Sequence, residues 1–282
     1  MTTTEITART APTQFARAAD GATYAYRRFG GTSDVPLLLL QHFRGNIDNW
    51  DPAFIDALAA EREVILVDYA GVSSSTGLPA RTVAETARQV SAFADTIGLT
   101  RTDLLGFSLG GFVGQVVALT RPALVRRLVL AGTGPQGGPG MGWRQDIVDH
   151  ACADTPGGED LLYIFFAHTE TSQAKGMEFL GRFVQRTEGR DTASSLAARD
   201  AQYDAVRDWG IPDHGALQRL TEITMPTLII QGDNDLMIPT KLSHLMAGLI
   251  PDATLRIYQD AAHASLFQYP HQAAADVNKF LG

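Results

Sequence analysis

The sequence holds a single cysteine, Cys152, so the chain can build neither an internal disulfide nor a cysteine-rich metal site, a pattern that fits a reducing compartment. A lone thiol serves as a small apolar packing residue and needs no further role. Positive charge is also scarce. The 23 Lys plus Arg stand against 31 Asp plus Glu, and the formal net charge of -8 would repel phosphate backbones and anionic membrane surfaces. Long apolar runs are missing: nothing approaches the roughly 18 consecutive apolar residues of a membrane-spanning helix, and residues 1–19 mix Thr, Glu and Arg without the apolar stretch of a signal peptide. Neither nucleic acid nor a membrane is therefore expected as a partner, and the expected location is the cytoplasm. What the chain does have is bulk. With 282 residues, 45% of them hydrophobic, disordered and collagen-like classes are excluded, and one full core with room for an insertion is expected.

The apolar residues are arranged in a rhythm. Strand-like runs at 14–18 and 22–29 flank Asp20-Gly21, a dipeptide that favours hairpin turns, so the chain is expected to open with an antiparallel hairpin. Continuous apolar runs at 35–40, 63–67, 102–107 and 125–131 then alternate with helical patterns at 51–61, 81–97 and 109–120. Strands apolar on both faces, separated by crossover helices, imply a mostly parallel α/β sheet. After the sixth strand a glycine-rich connector, 132–142, breaks the rhythm, and the residues beyond it read as helical. Strand and helix alternate again at 226–231, 240–249, 254–258 and 271–281. The expected organisation is one α/β core, residues 1–133 and 223–282, interrupted by a helical cap at 134–222.

The chemistry is concentrated where strands end. Gly106-Phe107-Ser108-Leu109-Gly110 stands between a strand and a helix, where a serine on a sharp turn is exposed and small flanking residues prevent a clash. A serine hydroxyl is a weak nucleophile and needs a base with an acid to orient it. Two loops supply candidates: Gly232-Asp233-Asn234-Asp235 follows the strand at 226–231, and His263 follows the strand at 254–258. Of the seven histidines, only His42 and His263 fall in loops after strands. The glycines of 67–77 read as turns, since no Lys of a phosphate-binding loop accompanies them.

In rhythm, motif and chain order (Ser108, Asp235, His263), the sequence resembles the α/β-hydrolase superfamily over nearly its whole length, in the capped branch of esterases, lactonases, peptidases and C-C bond hydrolases. The resemblance implies an α/β-hydrolase fold. It also implies that Asp235, three positions after Gly232 and four before Pro239, is the acid, leaving Asp233 as a turn former. The segment 37–50 resembles the family's oxyanion loop, with the usual His-Gly pair replaced by Gln41-His42; the oxyanion donors would then be the amides of Phe43 and Leu109. A histidine at a glycine's position would carry some backbone cost, and His42 is a candidate substrate contact as well as a structural one. Arg44 could hold a substrate carboxylate or reach solvent or an acidic neighbour. Phe107, beside the serine, and Trp143, Phe165 and Phe166 of the insert are candidates to wall an apolar pocket. The implied reaction is hydrolysis of a small carboxylic ester or lactone through an acyl-enzyme on Ser108, with no metal and no organic cofactor. C-C bond hydrolysis, amide or peptide cleavage and perhydrolysis could use the same residues, and a ligand receptor on this fold is the alternative of a different class.

Overall fold

The computed structural model describes residues 6–282. β1 (Gln14–Arg17) and β2 (Thr23–Gly30) pair antiparallel, Gln14 opposite Tyr26 and Arg17 opposite Thr23. Gly21 in their turn takes a φ of 88°, which a residue without a Cβ adopts freely. Next come β3 (Leu37–Leu40), a 3-10 turn at Ile47–Asn49, α1 (Pro52–Ala59), β4 (Glu63–Val67), α2 (Val83–Thr96), β5 (Thr102–Phe107), α3 (Leu109–Thr120) and β6 (Val125–Ala131). The Asp51 carboxylate accepts from the Ala53 amide ahead of Pro52, and the Thr82 hydroxyl accepts from the Glu85 amide, so α1 and α2 start at side-chain caps.

Five helices then intervene: α4 (Gln145–Ala151), α5 (Gly158–Phe165), α6 (Glu170–Phe183), α7 (Leu196–Trp209) and α8 (His214–Gln218). A 3-10 turn at Arg219–Glu222 returns the chain to β7 (Thr227–Gly232), α9 (Lys241–Leu249), β8 (Ala253–Tyr258), α10 (Ser265–Gln268) and α11 (Pro270–Leu281). The short α10 is not foreseen by the periodicity; Pro270, which lacks an amide hydrogen and cannot continue a preceding helix, separates it from α11. None of the helices among the described residues is long and apolar enough to cross a membrane.

The eight strands form one sheet in the order β1-β2-β4-β3-β5-β6-β7-β8, parallel from β4 to β8, with β2 antiparallel to β4. Every residue of β3, β5 and β7 is buried, whereas the edge strands β1 and β8 alternate along their length. That is the contrast expected between strands covered on both faces and strands at a rim. Leu38 of β3 pairs with Ile65 of β4 on one side and Leu104 of β5 on the other. The chain thus leaves the carboxyl ends of β3 and β5 in opposite directions, and the divergence opens the crevice in which wound sheets hold ligands.

The inserted helices are tied to the sheet by polar contacts as well as by packing. Arg182 of α6 grips the Asp51 carboxylate with Nε at 2.9 Å and Nη2 at 2.6 Å. Arg27 of β2, 1% exposed, meets Asp48 at 2.5 Å and Asp191, between α6 and α7, at 3.3 Å.

Candidate active site

Ser108 occupies the single residue between β5 and α3, with φ 56° and ψ -116°. A non-glycine residue held there costs about 1–3 kcal/mol, so the surroundings must hold it. They do so through the backbone: the Ser108 amide donates to the Ala131 carbonyl at 2.9 Å, and the Ser108 carbonyl accepts from the Gly111 amide at 2.8 Å and the Thr133 hydroxyl at 2.9 Å. Glycines make the turn sterically feasible, because a Cβ on Gly106 would run into the Gly110 carbonyl and one on Gly110 into the Leu40 carbonyl.

The loops after β7 and β8 bring the other two groups to this serine. His263 Nε2 lies 2.8 Å from Ser108 Oγ, and His263 Nδ1 lies 2.8 Å from Asp235 Oδ2. The other carboxylate oxygen of Asp235 accepts from the amides of Met237 and Ile238 at 2.8 and 2.9 Å. An ionised carboxylate can only accept, so Nδ1 carries the imidazole hydrogen and Nε2 turns its lone pair to the serine hydroxyl. Asp233 stays outside this line: its Oδ1 accepts from the Ala261 amide and from Asn234 Nδ2, tying the two loops together.

The loop after β3 runs alongside, and its amides can be accounted for one by one. The His42 amide donates to Gln41 Oε1 at 2.8 Å, that of Arg44 to Gln202 Oε1 at 2.6 Å, and that of Gly45 to the His42 carbonyl at 3.0 Å. Neither the Phe43 amide nor that of Leu109 finds an acceptor among the described residues. The unusual backbone conformation falls at Arg44, with φ 62°, and His42 has none. The positive φ thus falls two residues later than the family resemblance implies.

His42 is 7% exposed, its Nδ1 2.8 Å from the Phe43 carbonyl and its Nε2 without a partner among the described residues. Burial lowers its pKa to about 4; repulsion from His263 adds to the lowering, and the bond to Phe43 opposes it. The ring is neutral near pH 7, with the hydrogen on Nδ1.

A cavity of about 330 Å³ reaches Ser108 and His263, walled by His42, Phe43, Phe165 and Met237. Three expected contacts lie elsewhere. Phe107 belongs to β5 and points into the core, its ring 5.3 Å from those of both His263 and Phe267. Trp143 stands behind Phe43, stacked on Tyr203 at 5.7 Å. Phe166 is fully buried between the inserted helices, 5.7 Å from Phe179. Strand direction and helix packing, which residue type alone does not reveal, turn all three away. Arg44 lines the cavity and is partly exposed, with the acidic Asp154 and Asp200 nearby, yet its guanidinium donates to the backbone carbonyls of Ala151, Ala153 and Asp154. Sequence reading missed Gln202 and Ser194. The available signal was a polar residue, Gln202, on the otherwise apolar buried stripe of α7 formed by Ala198, Ala201, Ala205 and Trp209. Among the described residues, no three His, Cys, Asp or Glu side chains are grouped to hold a metal ion.

The profile of the family described as alpha/beta hydrolase fold matches residues 35–270. The chain belongs to that family. It is an enzyme of the hydrolase class, and its relatives agree. A solved alpha/beta hydrolase fold protein from Chitinophaga pinensis is 37% identical, with a TM-score of 0.93 over 98% of this chain and 99% of that one. The 2-hydroxy-6-oxononadienedioate/2-hydroxy-6-oxononatrienedioate hydrolase of Burkholderia vietnamiensis is 28% identical over 89% of this chain and 88% of its own length. The pimeloyl-(acyl-carrier protein) methyl ester esterase of Aliivibrio salmonicida is 25% identical over 87% and 91%.

Proposed function

We propose that this alpha/beta hydrolase cleaves a small carboxylic ester or lactone by nucleophilic catalysis on Ser108. The observation that carries the proposal is the unbroken relay from Asp235 through His263 to Ser108, with both contacts at 2.8 Å. His263 Nε2 takes the hydroxyl proton as Oγ attacks the acyl carbon, and Asp235 stabilises the imidazolium that results. The carbonyl oxygen, now an anion, lies against the unpaired amides of Phe43 and Leu109, supported by the positive end of α3. Collapse of the tetrahedral intermediate expels the alcohol, which leaves with the proton from His263. Water activated by the same imidazole then releases the acid and restores Ser108.

The inserted helices act in this proposal as a cap domain, residues 134–222, that supplies Phe165 and excludes water. A mostly apolar cavity near 330 Å³ lies at the small end of small-molecule sites, roughly 300–1,000 Å³, and favours short acyl groups. The single unpaired cysteine supports a cytoplasmic setting. Hydrolysis of a dicarboxylic dienoic acid, suggested by the name of the Burkholderia relative, is the second reading. It is weakened because the two arginines that line the cavity, Arg44 and Arg190, both donate to backbone carbonyls.

A panel of p-nitrophenyl esters of increasing acyl length tests the proposal. Wild type is expected to turn over the short members best, while Ser108→Ala, His263→Ala and Asp235→Asn lower kcat by about 10⁴-fold or more. A fluorophosphonate should label wild type and leave Ser108→Ala unlabelled. Absence of both turnover and labelling in wild type would sink the hydrolase mechanism. Labelling without turnover would retain the serine and reject the ester class.

A further inference from the structure

The Phe43 amide shares a peptide plane with the His42 carbonyl, and that carbonyl is fixed by the Gly45 amide at 3.0 Å. The resulting turn, His42 to Gly45, has its third residue at positive φ, a place turns of this kind reserve for glycine. Here it is Arg44, with φ 62°, and the chain must supply the restraint that a glycine would not need.

Apart from the His42 ring, whose Nδ1 donates to the Phe43 carbonyl at 2.8 Å, the side-chain restraint on Arg44 comes from the inserted helices and their connections. The Arg44 amide donates to Gln202 Oε1 of α7 at 2.6 Å, and the Arg44 carbonyl accepts from Ser194 Oγ at 2.5 Å. The guanidinium is held by carbonyls at the end of α4 and just beyond it, Nη1 to Ala153 at 2.5 Å and to Ala151 at 3.3 Å, and Nη2 to Asp154 at 3.4 Å. Gln202 is 5% exposed, so its amide group is a buried acceptor presented to this one backbone donor.

The geometry points to Arg44 as a positioning residue through which seating of the inserted helices sets the oxyanion-binding amide of Phe43. This rests on the hydrolytic reading of the site and adds a regulation to it: the centre is assembled only when the insertion is docked. Undocking frees the Arg44 amide and carbonyl together. The turn then relaxes toward ordinary negative φ, the Gly45 to His42 bond opens, and the Phe43 amide rotates away from the acyl oxygen. A substrate that holds the insertion down therefore organises its own oxyanion hole.

The test uses the full chain with Gln202→Leu, which removes the acceptor, Gln202→Glu, which keeps one, and Ser194→Ala as a second break. Gln202→Leu is expected to lower kcat about tenfold or more, a fraction of what losing an oxyanion donor costs, with KM changed less than about threefold. A trifluoromethyl ketone, whose hemiketal anion forms when Ser108 Oγ adds to the carbonyl and gives its proton to His263, needs the same amides and should lose affinity by the same factor as kcat/KM. Gln202→Glu should recover most of the loss, and Ser194→Ala should fall between. A Gln202→Leu enzyme with wild-type kcat, or one altered in KM alone, overturns the proposal. Amide hydrogen exchange at Gly45 reads the turn without turnover: it should quicken in Gln202→Leu, and unchanged exchange also overturns the proposal. If wild-type Ser108 neither turns over esters nor takes the fluorophosphonate, the hydrolytic reading falls by itself, and Gly45 exchange still decides whether Arg44 couples the insertion to this loop.

Discussion

His42 shows how a single side chain at this site is constrained by burial. Its ring lies edge-on to Phe107 at 5.4 Å and to Phe165 at 5.2 Å, which strips away most of the hydration an imidazolium requires. Free in the unfolded chain, the same ring titrates near 6.5, against about 4 in the fold. Between those values the unfolded state binds a proton that the folded state refuses, so stability falls as the pH drops through 6.5 and this contribution levels off below about 4. The difference is worth roughly 3 kcal/mol. His42→Phe keeps an aromatic ring in the cage and has nothing to protonate. Urea unfolding at a series of pH values should show wild type losing about 2–3 kcal/mol more than His42→Phe on acidification across this window. Parallel curves for the two proteins would mean that His42 is not held neutral.

At the scale of elements, the junction of β5 and α3 sets opposite demands on glycines a single turn apart. A Cβ on Gly110 would strike the Leu40 carbonyl, which β3 cannot move without breaking its own pairing, whereas a Cβ on Gly114 meets the Leu128, Leu104 and Leu130 side chains at 3.5, 3.7 and 3.9 Å. Gly110→Ala should therefore destabilise the protein by roughly 2–3 kcal/mol. Gly114→Ala, in ordinary contact and in mid-helix, should stabilise it by up to about 1 kcal/mol. Thermal unfolding of both variants checks the sign as well as the size, and a loss at Gly114 would contradict the packing described. This junction was readable from sequence because its constraints are local: a strand's apolar run, a serine, and glycines at fixed offsets. The same holds for the loops bearing Asp235 and His263, each placed by the strand before it. Contacts across the chain were not readable. Nothing in the spacing says that Gln202 reaches Arg44, that the positive φ belongs to Arg44 and not His42, or that Phe107, adjacent to the serine, turns inward while Phe165, far off in sequence, reaches the cavity.

For the molecule as a whole, the question is what holds the inserted helices to the sheet, and Arg27 is the focus of the answer. Its guanidinium bridges Asp48, in the turn after β3, and Asp191, in the segment between α6 and α7. Asp48 also accepts from the Asp191 amide at 2.6 Å, Asp191 accepts from Ser74 at 2.9 Å, and Arg186 stands 3.6 Å from Asp48. Burial raises the Asp191 carboxyl above its usual range, while Asp48 is lowered: its hydrogen bonds from Arg27 and from the Asp191 amide outweigh an opposing burial effect. Arg27→Met leaves two buried carboxylates facing each other with only Arg186 between them, a loss of about 3–5 kcal/mol near neutral pH. The deficit should shrink as the pH falls toward 5, because the variant's carboxylates, no longer held ionised by Arg27, take up protons at a higher pH than in wild type. Denaturation at pH 7 and pH 5 measures that difference. The same segment carries Ser194, which holds the Arg44 carbonyl, so the variant should also be cut by protease within 184–195 before the sheet unfolds. A variant that loses stability equally at both pH values, with no early cleavage there, would assign Arg27 to packing within the core and leave the docking of the insertion to Arg182 and Asp51.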